Sequence, residues 1–529
     1  MTENGVTDQP VERDRELRVV AARRPAATMA EVRRAVADLL GEDWRAERLA
    51  WSGRDVLIRA PGDYPAGTTG HARASHEAAA SLSGAEPFGK VEADVPIRGY
   101  AENLGPDSQA LTSTEKAGVP LYWVHETLRW EQALATMPDA VRGGVGISIG
   151  QPDTGYTFHP NLGTTGLDLT RDWDTISNDD NALDDLHQNP LWPLPFPGHG
   201  TSTASVIAGH GDPAVGIVGL TPAAKLVPFR ATESVVQVFD TNVAQAVARA
   251  RGAGCQVITM SLGGKGFFGL EKQIQRAVDS GLIMMAAAGN YVRFVTAPAS
   301  YANCLAVAAT GPGDTRWQGS SRGPAVDVSM PGAQIPVARY TENLQPFVGP
   351  SDGTSFSVAH LAAAAALWLA THGHHNLIAA YGAPRVQAAF LAVLHRPGVC
   401  VVPPDWDPAW GIGRVDLPSL ITAPLPTVGD LKTLKRSRIP IGGATGRIAA
   451  ALGADPVVVR TRLATLLQAD ESAEFAQLLD QHEGELVYLA YTDPAFAAAV
   501  TAPDDSGAKH LGLDVAGVSG RLESRLNRA

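Results

Sequence analysis

The stretch LIMMAAAGN, residues 282–290, decides the fold class of this 529-residue chain. Its apolar residues follow one another without the alternation of a half-exposed strand, which is typical of a central strand covered by helices on both faces. Similar short runs, such as GVGISIG at 144–150 and QVITMSL at 256–262, alternate with helical patterns as far as residue 421. We therefore predict an α/β fold with a doubly wound, mostly parallel sheet.

The sequence changes character on both sides of this region. Residues 15–100 have the order β-α-β-β-α-β, which predicts a small α+β N-terminal domain. Residues 101–120 (AENLGPDSQALTSTEKAGVP) are polar and rich in turn residues, as expected of a linker. We assign residues 121–422 to the α/β domain and residues 424–529 to a helical C-terminal extension of unknown role.

Composition limits the partners and the location of the protein. A formal charge of -12 provides no broad basic field for nucleic acid or anionic membranes. The cysteines are few and odd in number (Cys255, Cys304 and Cys400), which argues against a disulfide framework. Residues 1–20 lack the apolar run of a secretory signal, and the apolar residues 357–371 are too few to span a bilayer and predict a buried helix. We expect a cytoplasmic protein without membrane contact, and export by another route stays open.

Two motifs place candidate catalytic side chains at the end of a strand and the start of a helix. The triplet DTG, residues 153–155, follows an apolar strand, and active sites of α/β domains lie at the carboxyl ends of strands. The triplet GHG, residues 198–200, opens a helix of small residues, and its glycines leave room around the imidazole. His199 is therefore a candidate general base, and Asp153 is a candidate to orient it.

Two further motifs supply a candidate nucleophile and a hydrogen-bond donor. Ser355 ends the triplet GTS and opens a long alanine-rich helix, where backbone N–H groups and the helix dipole favour negative charge. Asn290 ends LIMMAAAGN, and its amide is a second candidate donor to a developing oxyanion. Together, the four side chains fill the roles of an acyl-transfer site.

The chain order DTG, HGT, SLGG, AAGN and GTS resembles that of the subtilisin family of serine peptidases. The resemblance covers about residues 121–421 and implies a serine endopeptidase that cleaves peptide or protein substrates through an Asp-His-Ser triad and an acyl-enzyme. It also implies that residues 15–100 are a propeptide that inhibits the enzyme and is cut off within the linker. The family usually has methionine and proline where this chain has Phe356 and Ala359.

The resemblance further implies a set of substrate-binding residues. One group would pair with an extended peptide by strand addition, and the other would line the first specificity pocket. The pairing strand comprises Ser261, Leu262 and Gly263, and the pocket comprises Ala287, Ala288 and Gly289.

Two other motifs have rival interpretations. A DTG triplet also occurs in aspartic peptidases, and DSG at residues 505–507 is a second triplet of that type, but it lacks the apolar surroundings of a carboxylate dyad. GKGFFG at residues 264–269 fits a dinucleotide-binding pattern, yet the next strand ends at 289–290 without the acid that would bind a ribose. We favour a loop at the substrate edge.

The C-terminal extension contains a pattern that resembles a helix-turn-helix at residues 447–467. We favour a helical hairpin docked on the peptidase and expect no nucleic acid partner. The alternative function is a catalytically weak scaffold whose tail binds DNA or protein, and a third is an esterase or ligase variant of the same site. The basic residues near this pattern are Lys432, Lys435, Arg436, Arg438, Arg460 and Arg462.

Seven aspartates crowd the insert that follows the first motif. Oxygen-rich loops suit calcium, but the spacing is not that of an EF-hand, so a solvated acidic loop is an equal alternative and no ligand is assignable. We expect no catalytic cofactor and no catalytic metal. The aspartates are Asp168, Asp172, Asp174, Asp179, Asp180, Asp184 and Asp185.

Overall fold

The computed structural model describes residues 15–97, 120–163, 165–186, 197–211, 216–235, 239–292, 294–341, 343–433, 443–469, 473–502 and 513–527. Residues 101–119 of the predicted linker and the DSG triplet at 505–507 lie outside the described residues. So do Lys435, Arg436 and Arg438 of the proposed basic group.

The N-terminal domain has the predicted order β-α-β-β-α-β. Its sheet is antiparallel throughout, with the strand order β2-β3-β1-β4. Thr28 caps the first helix and forms a reciprocal capping box with Glu31, and Val32 and Val36 of that helix are buried. The elements are β1 (Leu17–Arg23), α1 (Met29–Leu40), β2 (Arg45–Arg48), β3 (Asp55–Ala60), α2 (Thr69–Leu82) and β4 (Phe88–Ala93).

The second domain is built on a large sheet whose order is β15-β16-β12-β10-β9-β8-β5-β7-β6. The neighbouring pairs from β16 to β6 are parallel. Two short strands pair antiparallel, β15 with β16 at one edge and β11 with the interior strand β10. The elements are α3 (Trp123–Leu128), α4 (Trp130–Thr136), β5 (Ser148–Asp153), β6 (Trp173–Asp174), α5 (His199–Ala208), β7 (Lys225–Arg230), α6 (Asp240–Gly252), β8 (Val257–Met260), α7 (Phe268–Asp279), β9 (Ile283–Ala287), β10 (Leu305–Gly311), β11 (Thr315–Arg316), β12 (Val328–Pro331), β13 (Ile335–Tyr340), β14 (Pro346–Ser351), α8 (Thr354–His372), α9 (His374–Tyr381), α10 (Val386–Leu394), β15 (Cys400–Val401), β16 (Arg414–Val415) and α11 (Leu417–Thr422).

Strand β9 shows why the apolar run has no alternation. Ile283 and Met285 belong to the core that contains α5 and α8, whereas Met284 and Ala286 belong to the core that contains α6 and α7. Both faces of the strand are therefore buried, as expected of a sheet with helices on both sides. The predicted doubly wound α/β architecture is confirmed.

Helix α8 carries the apolar stretch noted in the sequence. Within the described residues it is long and apolar enough to cross a membrane, but 94% of its apolar window is buried inside the protein. The prediction of a buried helix is confirmed.

The C-terminal extension is helical, and it packs on the N-terminal domain as well as on the peptidase. Its helices α13 and α14 form the predicted hairpin, with Asp455 as N-cap and Pro456 as the first residue of α14. Arg462 is buried and donates to the carbonyl of Ala499, so it is not available to a nucleic acid. The elements are α12 (Val428–Thr433), α13 (Gly443–Leu452), α14 (Pro456–Leu466), α15 (Ala473–Gln481), α16 (Glu483–Thr492), α17 (Pro494–Thr501) and α18 (Gly520–Leu526).

Candidate active site

Asp153 is the last residue of β5, and its side chain is completely buried. Its Oδ1 accepts a hydrogen bond of 2.8 Å from the backbone N–H of Thr154. Its Oδ2 accepts a longer bond of 3.3 Å from the hydroxyl of Thr203 on α5. These bonds hold the carboxylate in one orientation at the carboxyl end of the strand.

His199 is the first residue of α5, and its Nδ1 lies 2.7 Å from Oδ1 of Asp153. The two motifs approach this closely because both contain glycine. A Cβ atom on Gly200 would lie 2.0 Å from the carbonyl oxygen of Gly155, which no side chain tolerates. The carboxylate of Asp153 therefore engages the ring through Nδ1.

Ser355 is the second residue of α8 and is 6% exposed. Its hydroxyl donates to the carbonyl of Ser261 at 3.4 Å, and the hydroxyl of Ser261 donates to the carbonyl of Ser355 at 3.0 Å. The next residue, Phe356, is buried, and its ring centroid lies 6.5 Å from that of His199. The amino ends of α5 and α8 therefore bring His199 and Ser355 to one site.

Asn290 has an amide whose orientation is fixed by the residue before Ser355. Its Oδ1 accepts from the backbone N–H of Thr354 at 2.9 Å and from the hydroxyl of Thr354 at 2.8 Å. The Nδ2 group is then on the side of Gly353, where an added Cβ atom would lie 3.5 Å away. The N–H donors of this amide therefore lie beside the segment that leads into Ser355.

Comparison with known proteins agrees with this geometry. The family model described as the subtilase family matches residues 144–388. Thermitase from Thermoactinomyces vulgaris is 32% identical over 233 residues, which are 44% of this chain and 77% of thermitase. The chain belongs to the subtilase family.

Other relatives are consistent with this assignment. The thermophilic serine proteinase of Bacillus sp. (strain AK1) is 32% identical over 242 residues, 45% of this chain and 56% of that protein. Fervidolysin from Fervidobacterium pennivorans, described as a keratinolytic enzyme related to subtilisin, aligns with a TM-score of 0.55 at 20% identity, over 78% of this chain and 62% of that chain. The protein is a serine endopeptidase, as predicted from its motifs.

The predicted substrate-binding residues of this subtilase lie on two neighbouring strand ends. Ser261, Leu262 and Gly263 follow β8, while Ala287 ends β9 and is followed by Ala288 and Gly289. Strands β8 and β9 are parallel neighbours, so the two segments leave the sheet side by side.

Thr296 is a residue of this region that the sequence reasoning did not single out. Its backbone N–H donates to the carbonyl of Ala288 at 3.0 Å, and its side chain is buried. A Cβ atom on Gly263 would lie 2.4 Å from its Oγ1, and one on Gly289 would lie 3.0 Å from its Cγ2. Thr296 therefore fills the space between the two predicted substrate-binding segments.

Asp184 is a second residue of the subtilase site whose place only the structure reveals. Its Oδ2 accepts from the hydroxyl of Thr154 and from the backbone N–H of Gly198, each at 2.8 Å. Burial is the main cause that raises the pKa of its carboxyl group above the usual value. Asp184 thus ties the segment after Asp153 to the segment before His199. In the sequence it was one of seven aspartates, and no local signal separated it from the others.

Three other aspartates of the acidic insert form ion pairs or hydrogen bonds within the protein. Asp168 pairs with Arg171 at 2.8 Å, Asp174 pairs with Arg230 at 2.8 Å, and Asp172 accepts from the backbone N–H of Ala182. Within the described part of the chain, no group of three or more His, Cys, Asp or Glu side chains gathers as it would around a metal ion. Calcium binding stays a prediction without assigned ligands.

The glycine-rich loop at residues 264–269 lies at a buried junction. Lys265 is fully enclosed, and its ammonium group donates to the carbonyl of Ala93 at 3.2 Å. The carbonyl of Gly266 accepts from Arg447 of the C-terminal extension at 2.6 Å. The loop therefore contacts both the N-terminal domain and the C-terminal extension.

Proposed function

We propose that this subtilase hydrolyses peptide bonds with Asp153, His199 and Ser355 as its catalytic triad. The observation that carries the proposal is the 2.7 Å bond between His199 Nδ1 and the buried Asp153, next to the helix whose second residue is Ser355. A fourth side chain, that of Asn290, supplies a hydrogen bond to the oxyanion. No cofactor takes part in this chemistry.

The proposed reaction begins when the Ser355 hydroxyl attacks the carbonyl carbon of the scissile bond. His199 Nε2 takes the hydroxyl proton, while Asp153 holds the imidazole in the tautomer that leaves Nε2 unprotonated. The negative charge on the substrate oxygen is stabilised by Asn290 Nδ2 and by the backbone N–H of Ser355. His199 then gives its proton to the leaving amine, and water hydrolyses the acyl-enzyme by the same route.

The substrate is a peptide or protein segment in extended conformation. Ser261 to Gly263 would pair with its main chain, and Ala287 to Gly289 would line the pocket for the side chain that precedes the scissile bond. The support is their place beside Ser355, since Ser261 exchanges two hydrogen bonds with it.

The domain limits predicted from the sequence complete the proposal. We assign residues 15–100 to a propeptide-like inhibitor domain, 101–120 to the linker, 121–422 to the peptidase and 424–529 to the C-terminal extension. Support for the inhibitor role is the contact between Ala93, at the end of β4, and Lys265, two residues beyond the predicted pairing strand. The chain would run from there into the cleft and be cut within the linker.

Labelling with a fluorophosphonate probe followed by peptide mapping tests the nucleophile. The probe should modify Ser355, and the label should disappear in Ser355→Ala. A matched control is Ser357→Ala on the same helix, whose hydroxyl donates to the carbonyl of Met330 and should not be labelled. A label on any other serine would contradict the assignment.

Kinetics give a second test of the triad. Ser355→Ala and His199→Ala should each lower turnover by about 10⁶, which is the loss known for subtilisin itself. Peptidase activity within about tenfold of wild type in either variant would overturn the proposal, because the expected loss is far larger.

A further inference from the structure

The C-terminal helices and the N-terminal domain share one hydrophobic core. We use the name C-terminal unit for the described residues from 443 to 527. In this core, side chains from the sheet and helices of the N-terminal domain pack against side chains from six helices of the C-terminal unit, α13 to α18, and from the segment before α18. The N-terminal domain contributes Val19, Val32, Ile58, Leu82, Phe88 and Val91, and the C-terminal unit contributes Ile448, Leu463, Phe475, Leu486, Phe496, Val518 and Leu522.

A buried arginine connects all three parts of the chain. Arg447 on α13 lies 3.0 Å from Glu92 of β4 and 2.8 Å from Glu483 of α16, and it donates to the carbonyl of Gly266 in the peptidase. All three side chains are 6% exposed or less. Buried charges are tolerated only when they are paired, and removal of one partner weakens the compensation of the others. The position of β4 is therefore coupled to the presence of α13.

Polar contacts extend the interface along α2 of the N-terminal domain. The backbone N–H of Gly520 donates to Glu77 at 2.7 Å, and Arg521 donates to the carbonyl of Ala80 at 2.9 Å. Arg73 pairs with Glu523 at 2.6 Å, with both side chains partly exposed. The short helix α18 therefore lies along α2 and contacts it from Arg73 to Ala80, over about two turns.

The opposite side of the N-terminal domain rests on the peptidase. Val20 and Leu49 belong to the core that contains α6 and α7. Asp94, directly after β4, accepts from the backbone N–H of Asp240 at the start of α6. The N-terminal domain is thus held between the peptidase on one side and the C-terminal unit on the other.

We propose that the C-terminal unit is the surface that retains the N-terminal domain, so that the domain stays bound after the chain is cut between residues 97 and 120. Its partner is this chain's own N-terminal domain, recognised through the shared apolar core and the Arg447 ion pairs. The binding does not depend on catalysis. Only its consequence rests on the proposed function: a retained domain would keep the cleft covered until the C-terminal unit is removed.

The test uses the full chain with Ser355→Ala, which prevents self-cleavage. A recognition site for an unrelated sequence-specific protease is placed within residues 101–119, the chain is cut there, and the release rate of the N-terminal domain is followed by gel filtration and intact mass. The cut domain should remain in a 1:1 complex. Arg447→Met should speed its release at least tenfold, because Glu92 and Glu483 lose the buried arginine between them and keep the partly exposed Lys90 as a shared partner.

Two variants keep the test decisive. Arg525→Met is the control, since Arg525 pairs with Glu474 within the C-terminal unit and should leave release unchanged. Arg73→Met removes a partly exposed pair to α18 and should speed release severalfold even if Arg447→Met fails to fold. The inference would be overturned if the cut domain left at once although the C-terminal unit is still attached to the peptidase. Equal release rates in all variants would also overturn it. Because every protein in the test is inactive, this failure is distinguishable from a failure of the catalytic assignment.

Discussion

The carboxylate of Asp184 accepts a 2.8 Å hydrogen bond from the hydroxyl of Thr154, the residue that follows Asp153. The same oxygen accepts from the backbone N–H of Gly198, directly before His199. Asp184→Ala would leave both donors buried and unpaired, at about 1–3 kcal/mol each. We expect the turnover number to fall by about tenfold or more for a loss of that size, and Asp184→Asn to restore most of it because an amide oxygen still accepts. Equal losses in both variants would show that the negative charge, not the hydrogen bonding, is required.

The amide of Asn290 should act on turnover and not on substrate binding. Asn290→Ala is expected to lower the turnover number by about 10² to 10³, which is the loss known for the corresponding donor of subtilisin. KM should stay nearly constant, because the charge on the oxygen develops only in the transition state. Steady-state kinetics on a peptide substrate measure both constants. An unchanged turnover number would remove Asn290 from the oxyanion site.

Thr296 should limit the size of the substrate side chain that precedes the scissile bond. Thr296→Gly removes the side chain that fills the space between Gly263 and Gly289. We expect kcat/KM for substrates with a large apolar residue at that position to rise about tenfold relative to those with alanine, the scale of hydrophobic pocket discrimination. A panel of peptides that differ only at this residue gives the ratio. An equal change in kcat/KM for every peptide would instead indicate that the substitution lowers the stability of the enzyme.

Tyr491 connects the C-terminal unit to the loop that follows Asn290. Its ring packs on Phe294 with centroids 5.3 Å apart, and its hydroxyl contacts the backbone of Ala297 and the side chain of Ser300. Tyr491→Phe should lower kcat/KM about fivefold, the scale of a lost hydrogen bond.

Tyr488 provides the matched control on the same helix. It is 8% exposed, like Tyr491, but it packs on His76 of the N-terminal domain. Tyr488→Phe should therefore leave kcat/KM unchanged. If both variants lose activity equally, the effect belongs to the helix as a whole and not to the contact with the loop.

Retention of the N-terminal domain should weaken as the pH rises from about 4 to about 7. Burial, and then the nearby Asp94 carboxylate, raises the pKa of Asp240 to about 7, while Lys265 and Arg447 act in the opposite direction. Once the domain leaves, Asp240 becomes accessible and its pKa falls back toward the ordinary value. Between these two pKa values the bound form holds a proton that the separated form has lost, so rising pH favours separation.

The measurement is the release rate of the cut N-terminal domain from Ser355→Ala at pH 5 and pH 8. We expect release to be at least about tenfold faster at pH 8, since one pKa unit corresponds to a tenfold change. Asp240→Asn should flatten this dependence, because an amide does not titrate. An undiminished dependence in that variant would assign the effect to another group, such as Asp94, whose pKa burial also raises.

Much of the fold and the catalytic set could be predicted from the sequence because both have short-range signals. The unbroken apolar run of β9 follows from burial on both faces, and the glycines at 155 and 200 follow from the close approach of two motifs. A glycine or a serine at the start of a helix can be recognised from a few neighbouring residues of the sequence. The same holds for the alanine-rich helix behind Ser355.

Tertiary structure alone decided the contacts between residues far apart in the chain. Asp184 resembles its six neighbouring aspartates until the fold brings it against Thr154 and Gly198. Arg447 begins the stretch that resembles a helix-turn-helix in the sequence, yet it lies buried between Glu92 and Glu483, which are 355 and 36 residues away along the chain. The physical reason is that burial and charge pairing depend on which surfaces come into contact in the fold. A local pattern of residue types does not specify those contacts.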